Sequence, residues 1–217
     1  MRVAAIWRYP VKSMAGERLT GTEVTEIGLA GDRIVQVYDR VGRTITARTH
    51  PRLLRLHATL GPDGEPLIDG LPWDSSEVAE LVEAAVGSGA RLRRFEGAER
   101  FDVLPLLVGT DGAVSAFGRD VRRLRPNLLI GDVTGLSERT WSGAMLRLPH
   151  ADIRLATLRQ RCVMTTYDPD TLVQDPDVLR DIVRRFRGQL CLNAETAKAG
   201  RIDEGDPVEL ILQTATR

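Results

Sequence analysis

The sequence predicts a mainly β chain with a few short helices, an α+β fold in two β-rich halves that meet near residue 100. Three observations predict it. Residues 1–60 are a series of short alternating or β-branched runs closed by Gly- and Pro-rich turns, the pattern of a barrel or sandwich. From Pro105 that pattern returns in kind. The most helix-like segment is Asp177 to Phe186, where Val178, Leu179, Ile182, Val183 and Phe186 make one apolar stripe and Arg180, Asp181, Arg184 and Arg185 fall mostly off it.

Taken in order, Val3 to Trp7 is a short apolar strand closed by Tyr9-Pro10. Glu17 to Ile27 alternates and runs into the turn Gly28-Leu29-Ala30-Gly31. Ile34 to Tyr38 is β-branched, and Asp39-Arg40-Val41-Gly42 suits a hairpin into Thr44 to Ala47. Leu53 to Leu60 continues the strand pattern up to the strong turn Gly61-Pro62-Asp63-Gly64. Residues 65–103 are less regular. Ser75-Ser76-Glu77 can cap a helix to Val86, although that run is equally compatible with a strand, and Arg91 to Phe95 alternates again. A boundary near Arg100 gives expected domains of 1–100 and 101–217. In the second, Leu106 to Thr110 is a strand leading into a loop or helix start, and Val114 to Leu124 is a short helix weakened by Gly118. Leu128 to Ile130, Thr140 to Leu148 and Asp152 to Leu158 are strands, and a Gly205-Asp206-Pro207 corner precedes a closing strand.

Composition narrows the function. A chain of 217 residues buries a real core. Its 30 basic and 30 acidic residues cancel, so there is no general electrostatic reason to expect nucleic acid or an anionic membrane as partner. Two cysteines make no disulfide framework. The start of the chain lacks a signal-peptide apolar region, and no apolar run approaches the roughly 20 residues of a membrane helix. The expectation is a cytoplasmic protein with reduced thiols.

The chemistry-bearing residues sit at polar tips that follow strands. Arg159 and Arg161 flank Cys162 where a strand ends at the turn Asp168-Pro169-Asp170. Nearby cations favour a thiolate, which ligates metals or attacks electrophiles, whereas a free cysteine is ordinarily a small buried hydrophobe. Lys12-Ser13 can donate to a phosphate, though such a pair is by default a solvated tip. Asp32 can orient Arg33 toward the same ligand, or the two can form a surface ion pair of little consequence. Arg48 and Arg52 follow another strand. Arg125-Pro126-Asn127 places a guanidinium and a carboxamide beside a rigid proline. Three scattered histidines argue against zinc, and no hydrolase, Walker or dinucleotide motif is present.

In this order the segments Tyr9-Pro10-Val11-Lys12-Ser13, Gly28-Leu29-Ala30-Gly31-Asp32-Arg33, Thr46-Ala47-Arg48 with Pro51-Arg52-Leu53, Arg125-Pro126-Asn127, Arg161-Cys162-Val163-Met164-Thr165-Thr166 with Asp168-Pro169-Asp170, and Gly205-Asp206-Pro207-Val208 resemble the MOSC family. That family is named for the C-terminal domain of molybdenum cofactor sulfurase. The resemblance is to its two-domain members, the mitochondrial amidoxime-reducing component and its bacterial relatives. It implies an N-terminal β-barrel domain followed by a MOSC β-barrel core. It also implies a bound molybdenum cofactor (a Mo-pyranopterin) and reduction of N-hydroxylated or N-oxide substrates by oxygen-atom removal at a cysteine-ligated metal. By position in the motif, Cys162 is the metal ligand and catalytic residue. Lys12, Ser13, Arg33 and Arg48 match the N-terminal cofactor-binding set and Arg125 and Asn127 a second one. Thr110 lies near a further one, where the match slides by a residue.

Electrons are expected from a separate donor protein, since the chain offers neither a Rossmann phosphate loop nor an iron–sulfur cysteine cluster. The sequence departs from the family in its shorter loops between 60 and 150 and in Gly188 to Ala194, which replaces a more aromatic pattern. Two other readings use the same residues or none of them: a cofactor or sulfur carrier with a persulfide on Cys162, and a degenerate barrel that binds no cofactor.

Overall fold

The computed structural model describes residues 1–212. The first half contributes β1 (Arg2–Arg8), β2 (Glu17–Leu19), β3 (Gly21–Thr25), β4 (Gly28–Leu29), β5 (Val35–Tyr38), β6 (Thr44–Ile45), β7 (Ala58–Leu60), β8 (Pro66–Ile68), β9 (Leu71–Pro72), the helix α1 (Ser76–Val86) and β10 (Arg91–Arg94). The second contributes β11 (Leu106–Thr110), α2 (Asp111–Phe117), β12 (Leu128–Gly131), β13 (Met145–Arg147), β14 (Asp152–Gln160), α3 (Pro176–Phe186), β15 (Gln189–Lys198), β16 (Gly200–Asp203) and β17 (Glu209–Ile211). Among the described residues the regular structure is therefore mostly strand with three short α-helices, as the patterning predicts.

The centre of the molecule is an eight-stranded sheet in the order β17-β13-β14-β15-β11-β12-β1-β2. Its pairs are antiparallel except β11 with β12, which run parallel across the α2 crossover. Strands β1 and β2 come from the first half, so the sheet draws on both ends of the sequence. The Gly205-Asp206-Pro207 corner holds β1 from the other side, with Val3 N donating to Asp206 O at 2.9 Å and Gly205 N to Val3 O at 2.8 Å. Strand β16 likewise pairs with β3. The expected boundary near 100 falls in the irregular linker between β10 and β11.

Among the described residues the buried apolar side chains form four clusters, two of them large. The first lies on the large sheet and joins Val3 and Ile6 to Leu106, Leu128, Leu146 and Ile153. The second gathers Val11, Met14, Val35, Leu53, Ile68 and Val78 beneath α1, and Met164 packs against it from the second half. Burial of large aliphatic side chains such as these, at about 1.5–3 kcal/mol each, is the main force holding the halves together.

Local chemistry accounts for the element ends. The Ser75 hydroxyl accepts from Val78 N and makes α1 a helix, resolving the two readings of that segment. The helix expected to reach Leu124 stops at Phe117, because Gly118 adopts a left-handed φ of 69° as its C-cap. The strand expected from Leu53 begins only at Ala58. Pro51 fixes its own φ and lacks an N–H, and it opens a 3-10 turn over Pro51–Arg55 instead. Thr140 to Leu148 is strand only over Met145–Arg147, after a 3-10 turn at Ser137–Thr140. Among the described residues no helix is long and apolar enough to cross a membrane.

Candidate cofactor and substrate cleft

Loops from both halves converge on one cleft. Lys12 and Ser13 follow β1, Arg33 follows β4, Arg48 follows β6, Arg125 and Asn127 precede β12, and Arg159 to Cys162 end β14; all of them line it. The empty space within it, open solvent at the mouth included, is about 890 Å³. The sequence-predicted residues are thus brought together, with one exception. Thr110 is wholly buried at the start of α2, where its hydroxyl accepts from Ala113 N at 3.1 Å and donates to Glu138 Oε2 at 3.3 Å. It is a helix cap and is not on the cleft lining.

Three of the eight non-glycine residues with a positive φ among the described residues line this cleft. Ser13, Arg33 and Arg125 are non-glycine residues with φ of 71°, 55° and 52°. Each such conformation costs about 1–3 kcal/mol and persists only where its surroundings over-determine it. The surroundings are visible. Gly31, at φ 75°, makes the preceding turn at a point where a Cβ would meet Leu60 Cδ1 at 2.2 Å. Asp32 is fully buried; its carboxylate accepts from Tyr9 N at 2.7 Å and Asn127 Nδ2 at 3.2 Å and pairs with Arg33. Asp32 therefore orients Arg33, as the sequence implied.

Asn127 has no hydrogen-bonding capacity left for a ligand. Its Nδ2 donates to Trp7 O at 3.3 Å as well as to Asp32, and its Oδ1 accepts from Leu107 N at 3.1 Å and Arg33 Nη1 at 3.5 Å. A carboxamide offers two donors and two acceptor lone pairs, and all four are used. It is a positioning residue on the cleft wall.

The charges fall into two groups. Toward Tyr9, Arg125 lies over the ring at 4.2 Å and Arg33 at 5.2 Å. Burial pushes the Tyr9 hydroxyl up to about 12, against the opposing charges of Arg125 and Arg33, and it donates to Pro126 O at 3.2 Å. Burial also pulls the Arg125 guanidinium below its ordinary value. Arg125 donates to Met14 O at 2.7 Å and Arg161 to Leu124 O at 2.6 Å, and among the described residues neither has a carboxylate partner within 4.0 Å. Arg161 Nε is buried with no partner at all.

Toward Cys162, Asp102 receives Lys12 Nζ at 2.8 Å, Arg159 Nη2 at 3.5 Å and the Arg48 guanidinium. Burial alone would raise the Asp102 pKa, but the hydrogen bond and charge of Lys12, then those of Arg48, hold it down at about 2. Burial works against the Arg48 charge in turn; Asp102 and, less strongly, Cys162 beside it more than restore it. The Cys162 side chain is partly exposed, and its carbonyl accepts from Thr165 N at 3.0 Å and Thr165 Oγ1 at 2.9 Å, which fixes the 3-10 turn that follows. Cys191 is a different thiol: it is fully buried, and desolvation pushes it up to about 11. Asp102 and Asn193 were not found from sequence, because one lies in an irregular linker and the other is a single polar residue within a strand.

With this geometry in hand, residues 1–76 match the MOSC N-terminal beta barrel domain and residues 113–209 match the MOSC domain. The chain belongs to the MOSC family. Curated MOSC relatives include mitochondrial amidoxime reducing component 2 of Macaca fascicularis, 25% identical over a match covering 95% of this chain and 82% of that protein. Mitochondrial amidoxime-reducing component 1 of Homo sapiens is 24% identical, covering 97% and 83%. A solved structure, the YUAD protein from Bacillus subtilis, covers 98% of this chain and 96% of that one with a TM-score of 0.53 at 12% identity, which shows a shared fold. Of the cleft residues, Lys12, Ser13, Arg33 and Arg48 lie in the segment matched to the N-terminal domain, and Arg125, Asn127 and Cys162 in the segment matched to the MOSC domain.

Proposed function

We propose that this MOSC protein is a molybdenum-cofactor oxidoreductase that reduces N-hydroxylated or N-oxide compounds. The observation that carries the reading is the pairing, in one cleft, of a single accessible thiol with a surplus of cations drawn from both halves of the chain. Relatives named for amidoxime reduction and matched over almost the whole chain support it.

The residues present fit the group. A pyranopterin with a dithiolene and a phosphate is a multiply charged anion, and Arg125 and Arg161 reach the cleft without carboxylate partners, Arg161 with an orphaned Nε. A buried donor left without a partner costs about 1–3 kcal/mol, which a ligand acceptor would recover. Lys12, Ser13, Arg33 and Arg48 would hold the anionic cofactor, Arg125 and Arg161 its other polar edges, and Cys162 would ligate the metal through a soft thiolate. When bound, the cofactor supplies two-electron oxygen-atom removal from an N–O bond. The chain's own part is to orient it, with Asp32 and Asn127 fixing Arg33 and the 3-10 turn after Cys162 fixing that residue's backbone.

Two cysteines in the sequence leave no ligand set for an iron–sulfur cluster, so we place the source of electrons in a separate protein. The test is reduction of an aromatic amidoxime by protein made in a cofactor-producing host, with a chemical electron donor. Amidine formation that disappears in Cys162→Ala is the expected result. No turnover together with a persulfide on Cys162 would overturn it in favour of a sulfur carrier.

A further inference from the structure

Three cations from three separate elements meet at one carboxylate of the chain itself. Lys12 comes from the loop after β1, Arg48 from the loop after β6 and Arg159 from β14, and all three close on Asp102. A guanidinium accepts a carboxylate or a phosphate in much the same in-plane geometry, so the place that Asp102 occupies is a place for an oxyanion.

Asp102 is held there by its side chain. The linker is pinned before it by Arg100, which is buried and donates to Ile27 O at 3.4 Å, and whose own carbonyl accepts from Lys12 Nζ at 3.0 Å and Gln36 Nε2 at 3.3 Å. It is pinned after it by Leu106, paired with Ala194 at the start of β11. Between these points, among the described residues, the backbone of Asp102, Val103 and Leu104 makes no backbone–backbone hydrogen bond, and Val103 is 56% exposed. Segments with few buried contacts and free backbone groups open at low cost.

Two of the three cations have anchors besides it, Lys12 through its hydrogen bond to Arg100 O. Arg159 Nη1 donates to Asn193 Oδ1 at 3.3 Å, and Asn193 is held in turn by Nδ2 donating to Thr157 O at 3.2 Å. Arg48, Asp102 and Arg159 also line a second, open pocket that shares this wall of the cleft.

We propose that Lys12, Arg48 and Arg159 form an oxyanion subsite at the mouth of the cleft, that Asp102 fills it as an internal stand-in, and that anionic ligands bind by displacing Asp102. A neutral molecule cannot make this exchange, because it would leave three cations facing one another. The inference rests on the cleft being an anion site, as the functional reading requires, but not on molybdenum.

Titration calorimetry with the cofactor-free full-length protein tests it, using inorganic phosphate and benzoate as separate probes. Asp102→Asn removes the competing charge and should tighten phosphate binding about tenfold, and Arg159→Gln added to it should reverse the gain. Tighter benzoate as well would assign the subsite to carboxylates in general, and phosphate alone would assign it to phosphate groups. Unchanged or weaker binding of both anions by a folded Asp102→Asn protein would overturn the proposal. A second readout needs no variant: phosphate should speed proteolytic cleavage within residues 101–104 of the wild type, and an unchanged or slowed rate would count against displacement. Neither result depends on metal content, so failure here and failure of the molybdenum reading are told apart.

Discussion

Asp32 and Asp102 are both carboxylates beside cleft cations, and they act differently because their burial differs. Asp32 is fully buried with every partner in place, so removing it strands Arg33 and the Asn127 carboxamide. Asp32→Ala should lower stability by about 3 kcal/mol, measured by urea unfolding, and should weaken phosphate binding as Arg33 loses its orientation. Asp102 contributes through its depressed pKa. A carboxyl whose folded value lies below its unfolded one stabilises the fold above the unfolded value and loses that contribution as pH falls through the folded one. For Asp102 the window runs from roughly pH 4 down to about 2. Ligand-free wild type should therefore unfold at a higher temperature than Asp102→Asn at pH 7, and the gap should close as pH is lowered through that window. At this scale the sequence was informative where residues that meet at the cleft form contiguous polar tips, as with Lys12-Ser13, Asp32-Arg33 and Arg161-Cys162. The sequence singled out Thr110 only through a family match that slides by a residue there, and its side chain caps a helix off the cleft lining. It was silent on Asp102, whose partners lie 90 residues away at Lys12, 54 at Arg48 and 57 at Arg159, separations that leave no local pattern.

Among the elements, α3 was the most legible, since an apolar residue every fourth position needs no tertiary information. The structure narrows its stripe to Val178, Ile182 and Phe186, and leaves Val183 57% exposed. Ile182→Ala should cost about 2–5 kcal/mol, whereas Val183→Glu should stay within about 0.5 kcal/mol, both by thermal or urea unfolding. The Asp175 carboxylate accepts from Asp177 N and caps the helix, and replacing it with Ala should cost about 1 kcal/mol. Element ends were less legible. Pro51 and Gly118 each ended or displaced an element whose apolar pattern ran on past them, because a backbone restriction at one residue outweighs the periodicity of its neighbours.

Across the whole molecule, the sequence marks a first and a second half but not how they interlock. Pairing of β1 with β12, and of β16 with β3, joins residues more than 100 positions apart, and no local signal reports it. Because Val3 and Ile6 lie in the same core as Leu106 and Ile153, the protein should unfold in one cooperative thermal transition. Deleting residues 1–8 should abolish folding of the entire chain, as read by calorimetry and near-ultraviolet circular dichroism. The cleft is a product of that interlocking: Lys12, Arg33 and Arg48 face Arg125, Arg159 and Cys162 only when both halves are in place.

The proposed role of Cys162 is that of metal ligand in an anion-binding cleft. Its most direct test is elemental analysis for molybdenum on wild type and Cys162→Ala, both purified from a host that makes the cofactor and both checked for the same unfolding temperature. Near-stoichiometric molybdenum in the wild type and little in the variant is the predicted result. Equal metal in both would remove Cys162 from the metal site, and none in either would contradict the proposed function.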